Sequence, residues 1–298
     1  MKRVYSFAVL LVTLCGCCSR DAGTSFSASA GIKKSSSKKL LKLTIGVNDI
    51  YCRDTACSCV HYIAARTYKS TLDLLRKKYN IDLKFVYFPE PFNLEKALRK
   101  NKFDGALSKP WPVLKIGKDE RRDFKRIVDV LDPDNKCVLS GSFAVLKKSP
   151  VKTLSDIKGK RLAIGYPDAY EKYYAALRSL KRAGVPVPSG KNLIQNASCS
   201  ENLDALMNGK VDVAVVSDYA LTADCAVDFA KPDDFRIITS TEQIPLTSLL
   251  LDTKKVSPAN ILRLQAALLE INGARTPKEM LSNGFVMPVY WSPEELKK

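Results

Sequence analysis

Apolar and polar positions alternate across Leu41–Val47 (LKLTIGV), where β-branched residues predict a strand. Tyr68, Leu72, Leu75 and Tyr79 then recur at three- and four-residue spacing, the signature of a helix with one apolar face. Leu83–Phe88 (LKFVYF) returns to strand character, Asn93 is placed to cap a helix over Leu94–Asn101, and Gly105–Leu107 starts a short third strand. Alternation of this kind predicts an α/β sheet with helices on its faces.

The middle of the chain repeats the pattern with other residues. Strands are expected at Ser142–Leu146, Arg161–Gly165, Val211–Val216 and Arg236–Thr239. Helical stretches are expected at Thr153–Ile157, Glu171–Ala183 and Glu201–Met207, with Gly159, Gly184 and Asn208-Gly209 as their stops. Pro258–Ile271 reads as a long amphipathic helix. Two similar sheets explain this order better than one. The expected architecture has a first lobe from 41–142 plus 245–298, with 143–244 inserted as a second lobe. Each lobe is a mostly parallel sheet flanked by helices.

The first forty residues read differently. Lys2 and Arg3 precede an apolar run, Val4–Leu14, that is too short to cross a bilayer and has the proportions of a signal-peptide core. It ends in Leu14-Cys15-Gly16-Cys17, which looks like a bacterial lipobox. Residues 1–16 are then the leader, and Cys17 carries the lipid. Residues 17–40, rich in Ser, Ala, Gly and Lys, read as a flexible tether. Removal of the leader takes two positive charges from a formal net charge of +17. A basic balance suggests nucleic acid, but no helical recognition segment or aromatic-basic RNA motif accompanies it. Nucleic acid is therefore not an expected partner.

Several segments resemble type II periplasmic solute-binding proteins. Ser142–Gly165 (SFAVLKKSPVKTLSDIKGKRLAIG) is similar to the start of their second lobe, and Asn208-Gly209-Lys210-Val211-Asp212-Val213-Ala214 to a later turn and strand. Phe103-Asp104-Gly105-Ala106 is the counterpart in the first lobe. With Ile244-Pro245 and Gly284-Phe285, the similarity is greatest to the phosphate/phosphonate branch and spans residues 41–298. The resemblance implies an extracytoplasmic lipoprotein that captures a small ligand by hinge closure. It would deliver that ligand to the permease of an ABC-type importer, on the periplasmic or cell-surface side of a bacterial membrane, without enzymatic activity.

In open α/β sheets ligands lie beyond the carboxyl ends of the strands. Four loops should therefore line the cleft. They offer Asp49 and Tyr51 after the first strand, and Lys109 and Trp111 after Leu107. Tyr166, Asp168 and Tyr170 follow Gly165, and Asp218 and Tyr219 follow Val216. Rings contribute contact area and charges contribute orientation. Packing at the rim is the other reading of Trp111, and a helix cap that of Asp218. In phosphonate binders the third loop opens a helix with consecutive Ser and Thr hydroxyls that hold the anion. Here it reads Asp168-Ala169-Tyr170-Glu171-Lys172, and Glu171 places a negative charge there. Lys109 can serve another anion; Asp49, Asp168, Glu171 and Asp218 can equally serve a cation.

Of nine cysteines, Cys52, Cys57, Cys59, Cys137, Cys199 and Cys225 lie beyond the lipobox, and an even count in an oxidising compartment argues for disulfides. A Cys199–Cys225 bridge is geometrically reasonable. Cys57, Cys59 and His61, the only histidine of the chain, fall in the first cleft loop. Thiolate with imidazole suits copper or zinc; a disulfide-pinned loop is the other reading, and no resident cofactor is otherwise expected. These residues carry the alternative of a metal-binding or redox lipoprotein, and a sensor or adaptor role is the third. One histidine and no Gly-x-Ser-x-Gly or Walker motif leave catalysis without a basis.

Overall fold

A computed structural model describes residues 39–56, 65–222, 225–226 and 228–297. The expected leader, Cys17, most of the tether, and Cys57, Cys59 and His61 lie outside the described residues.

Among the described residues the chain builds two large sheets and a two-stranded ribbon. It opens with β1 (Leu41–Asn48), α1 (Lys69–Tyr79), β2 (Ile81–Tyr87), α2 (Pro91–Arg99), β3 (Gly105–Ser108), α3 (Pro110–Asp119) and β4 (Phe124–Val130). A two-residue strand, β5 (Val138–Leu139), leads to the second lobe. That lobe holds β6 (Gly141–Leu146), β7 (Leu162–Ile164), α4 (Tyr174–Arg182), β8 (Leu193–Gln195), α5 (Cys199–Met207), β9 (Val213–Ser217) and β10 (Phe235–Ser240). The chain returns through β11 (Ile244–Pro245) to β12 (Ser248–Asp252), α6 (Pro258–Leu269) and β13 (Phe285–Val286).

The first sheet has the order β13-β4-β12-β3-β1-β2, the second β10-β6-β9-β7-β8. In the first, β1 runs parallel to β2 and β3, and β12 is antiparallel to β3 and β4. In the second, β7 is parallel to β8 and β9, while β6 is antiparallel to β9 and β10. The two crossings between sheets pair with each other, Ile244 opposite Leu139 and Pro245 opposite Val138. Both sheets are covered on both faces. Along β12, Leu249 and Leu251 enter one core and Leu250 the other; along β9, Val213 and Val215 part from Ala214 and Val216 in the same way.

That double burial explains what periodicity misses. The strands β4 and β12 lack a clear apolar-polar alternation because both of their faces meet a core. Helix α3 starts at Pro110 with Pro112 inside its first turn, where a missing N–H leaves no helical bond unmade. The segment that reads as a loop is thus a helix start, with Lys109 at its N-cap. The helix expected over Glu171–Ala183 is divided. A 3-10 turn at Tyr170–Lys172 precedes α4, and Tyr173 between them leaves helical geometry at φ −118°, ψ −83°. Asn93 is not a cap, because α2 begins earlier at Pro91 with Glu90 before it. No helix among the described residues is long and apolar enough to cross a membrane.

Candidate functional site

The loops that leave the carboxyl ends of β1, β3, β7 and β9 meet where the two lobes face each other. Trp111 and Tyr170 from these loops join Leu139, Ile244 and Leu246 of the crossings and Ala175 of α4 in one apolar cluster, against which Tyr51, Tyr174, Tyr219 and Trp291 pack. Trp111, on the first lobe, meets Tyr170 at a tilt, 4.9 Å between ring centres, and Tyr174 edge-on at 5.1 Å, both on the second. Its Nε1 donates to the Pro167 carbonyl at 2.8 Å. The indole is buried, so that hydrogen bond fixes its rim against the other lobe.

Beside this wall lies a charged cluster drawn from both lobes. Lys109 Nζ donates to Glu171 Oε1 at 2.7 Å, and Ser217 Oγ donates to the same oxygen at 2.8 Å. Cys199 lies behind Ser217, its Sγ accepting from the Ser217 N–H at 3.3 Å. Lys109 also lies 5.9 Å from the Tyr219 ring centre, within cation–π range. Glu171 has no exposed surface, and its Oε2 is buried with no hydrogen-bond partner among the described residues. Burial alone would raise the Glu171 pKa. The positive charges of Lys109 and Lys172 and the Lys109 hydrogen bond outweigh burial and hold it down at about 2. Burial would likewise lower the pKa of Lys109, but Glu171 turns the shift upward. The pair is an ion pair at neutral pH.

Local backbone fixes the carboxylate there. The Gly165 N–H donates to the Lys172 carbonyl at 3.2 Å, folding the loop back on its strand. A Cβ on Gly141 would stand 2.2 Å from the Glu171 carbonyl oxygen, so only glycine lets β6 approach this turn.

Of the residues expected at the cleft, Lys109, Trp111, Tyr170 and Tyr219 come together, with Tyr51 at the edge of the same cluster. Tyr170 is held by its own chain: its hydroxyl donates to Glu295 Oε2 at 3.0 Å and accepts from Arg178 at 2.7 Å. Asp218 caps the linker, its Oδ2 accepting from the Ser140 N–H at 2.8 Å and hydroxyl at 3.0 Å. Tyr166 and Asp168 lie at the surface. Asp49 turns into the first lobe, where its Oδ2 accepts from Arg66 at 2.9 Å and from the Tyr68 hydroxyl at 2.7 Å. Its Oδ1 accepts from the Tyr51 N–H and the Thr247 hydroxyl.

Sequence reasoning passed over the residues that brace the cluster from the far end of the chain. Arg178 joins Glu242 at 2.5 Å and Glu295 at 2.8 Å, while Trp291 meets Tyr170 edge-on at 5.2 Å. No local pattern marks these pairings, because their partners lie 64 and 117 residues away. Ser217 follows the expected strand Val211–Val216 as the first residue of the fourth cleft loop, and nothing local marks its hydroxyl as a partner of Glu171. The expected Cys199–Cys225 bridge is not formed: Cys52, Cys137, Cys199 and Cys225 are all buried free thiols. Cys199 starts α5 and points its sulfur at Ser217, while Cys225 packs in the second-lobe core. Among the described residues, no group of three or more His, Cys, Asp or Glu side chains is placed to hold a metal.

Comparison with known proteins agrees with this architecture. Among curated proteins, none matches the chain. Among solved structures, a Xanthomonas citri protein bound to ATP is similar at 17% identity and TM-score 0.60, covering 84% of this chain and 91% of its own. PhnD1 of Prochlorococcus marinus, in complex with methylphosphonate, is similar at 12% identity and TM-score 0.59, covering 83% and 92%. The aliphatic sulphonate binding protein SsuA of Escherichia coli follows the fold at 18% identity and TM-score 0.54, covering 77% and 70%. These likenesses concern the fold. The family profile described as "ABC transporter, phosphonate, periplasmic substrate-binding protein" matches residues 63–286. With that match over most of its length, and two sheets in two lobes, the chain belongs to this family of extracytoplasmic substrate-binding proteins.

Proposed function

We propose that the protein is the lipid-anchored solute receptor of an ABC-type importer. In this reading Cys17 carries the lipid and residues 17–40 form the tether. The lobes close on a small polar solute at Lys109, Glu171 and Ser217, and the closed form is presented to the permease. Binding, rather than chemistry at a reacting bond, is its task. One observation carries the reading: a buried charged cluster straddles the lobes, beside aromatic rings from both. Rings and a few placed polar groups are what a small-solute site requires, and closure of two lobes around it is a hinge motion. Relatives on this fold are seen with ligands as different as ATP and methylphosphonate, so the fold alone does not name the solute.

A thermal-shift panel of phosphonates, sulfonates, nucleotides, amino acids, amines and polyols tests this. At least one class should raise the melting temperature, and Trp111→Ala or Lys109→Met should remove the effect. If no class stabilises the protein, or if the stabilisation survives both substitutions, the cleft is not the site.

A further inference from the structure

Lys109 and Ser217 are the donors a negatively charged solute group would use. Both are already given to Glu171 Oε1, at 2.7 Å and 2.8 Å. We propose that Glu171 is the specificity-determining residue of the cleft: it stands as an internal anion in the position of a solute oxyanion. The cleft then refuses phosphonate- and sulfonate-type head groups and takes a solute without net negative charge that donates a hydrogen bond to Glu171 Oε2. This proposal rests on the cleft being the solute site.

Three observations lead there. The charge of Lys109 is matched by Glu171, and the Lys172 ammonium is turned to the Ala197 carbonyl at 3.3 Å, so an oxyanion entering at the Lys109 and Ser217 donors meets a buried like charge. Glu171 cannot easily withdraw, since its backbone is wedged against Gly141 and its side chain has no exposed surface. And the valence left open is an acceptor: Oε2 is buried and unpartnered among the described residues. A buried acceptor without a partner is costly, and an N–H or O–H from the solute relieves that cost. The neighbouring Tyr219 ring, which meets the Lys109 ammonium at 5.9 Å, suits the apolar or cationic surface of such a molecule.

The test is titration calorimetry of the purified protein with methylphosphonate, ethanesulfonate and inorganic phosphate, on the native chain and on Glu171→Gln. The native chain should bind none of them. The variant keeps the shape and loses the charge, and should bind at least one of them at least roughly tenfold more tightly. Oxyanion binding by the native chain overturns the proposal, as does a folded Glu171→Gln that gains none. If that variant does not fold, the solute released from the native protein by denaturation decides. Mass spectrometry should find a neutral or cationic molecule with N–H or O–H groups; a phosphonate, sulfonate or phosphate would overturn the proposal. A native chain that binds an oxyanion in the cleft leaves the receptor reading intact, whereas one stabilised by nothing removes both.

Discussion

Two buried charge clusters, one inside the first lobe and one between the lobes, are built from similar parts to different ends. In the first, Arg66 and Asp49 are 2% and 0% exposed, and every arm of the pair is engaged. Arg66 Nε donates to the Met280 carbonyl at 3.0 Å, its other nitrogens reach Asp49, Leu131 and Leu281, and both Asp49 oxygens accept. The cluster ties β1 to the segments that begin at Arg66 and end near Met280. In the second, Lys109 keeps 22% of its side chain exposed, the partners come from different lobes, and one carboxylate oxygen is unmet among the described residues. A saturated cluster can only hold a structure together. An unsaturated one on a moving boundary can still bind something.

The largest effect should come from breaking the saturated cluster. Arg66→Met strands the Asp49 carboxylate in the core and should cost about 3–5 kcal/mol, read as a lower urea midpoint at unchanged slope. Lys109→Met also strands a buried carboxylate, but water reaches this site through the exposed part of the lysine. The loss should be smaller, about 2 kcal/mol, and the melting temperature should fall by roughly half as much as for Arg66→Met.

The stability of the native chain relative to Glu171→Gln should depend on pH in one direction only. The Glu171 carboxyl has its pKa held down at about 2 against an ordinary value of 4.5, so the folded state favours its ionised form. The contribution of the charge is then fully present above pH 4.5 and fades as pH falls toward 2. Denaturation of the two proteins between pH 7 and pH 2 should give curves that run parallel and then converge; convergence already at pH 6 would mean that Lys109 does not hold the proton off. Smallest of all, Trp111→Phe removes the Nε1 hydrogen bond to Pro167 and the five-membered part of the buried indole while keeping one aromatic ring, and should cost about 1.5 kcal/mol. If it costs nothing measurable, that contact does not join the lobes.

How far the sequence carries differs between these clusters as well. The strand β1 is legible from its alternation, and β3, β7 and β9 from the glycines beside them and the helical spacing between; from their carboxyl ends the loops that meet at the cleft follow by topology. Lys109, Trp111, Tyr170 and Tyr219 could therefore be named in advance. What could not be read is where each side chain turns. Asp49 sits in a cleft loop by sequence, yet Arg66 and Tyr68 draw it inward, and neither partner carries a local signal. Glu171 shows the converse. Its charge is plain in the sequence, but that it takes both donors of the opposite walls appears only when β3 and β9 are brought to the same place.

The most direct test of the account is the distance between the lobes. Spin labels attached by non-cysteine chemistry at exposed Lys96 on α2 and Lys181 on α4 report it without touching the cleft. If the Lys109–Glu171 bridge holds the lobes together, Glu171→Gln should shift the native distance distribution toward longer separations, and Arg66→Lys, inside one lobe, should leave it unmoved. Identical distributions for the native protein and Glu171→Gln would contradict the claim that this ion pair spans a closing cleft.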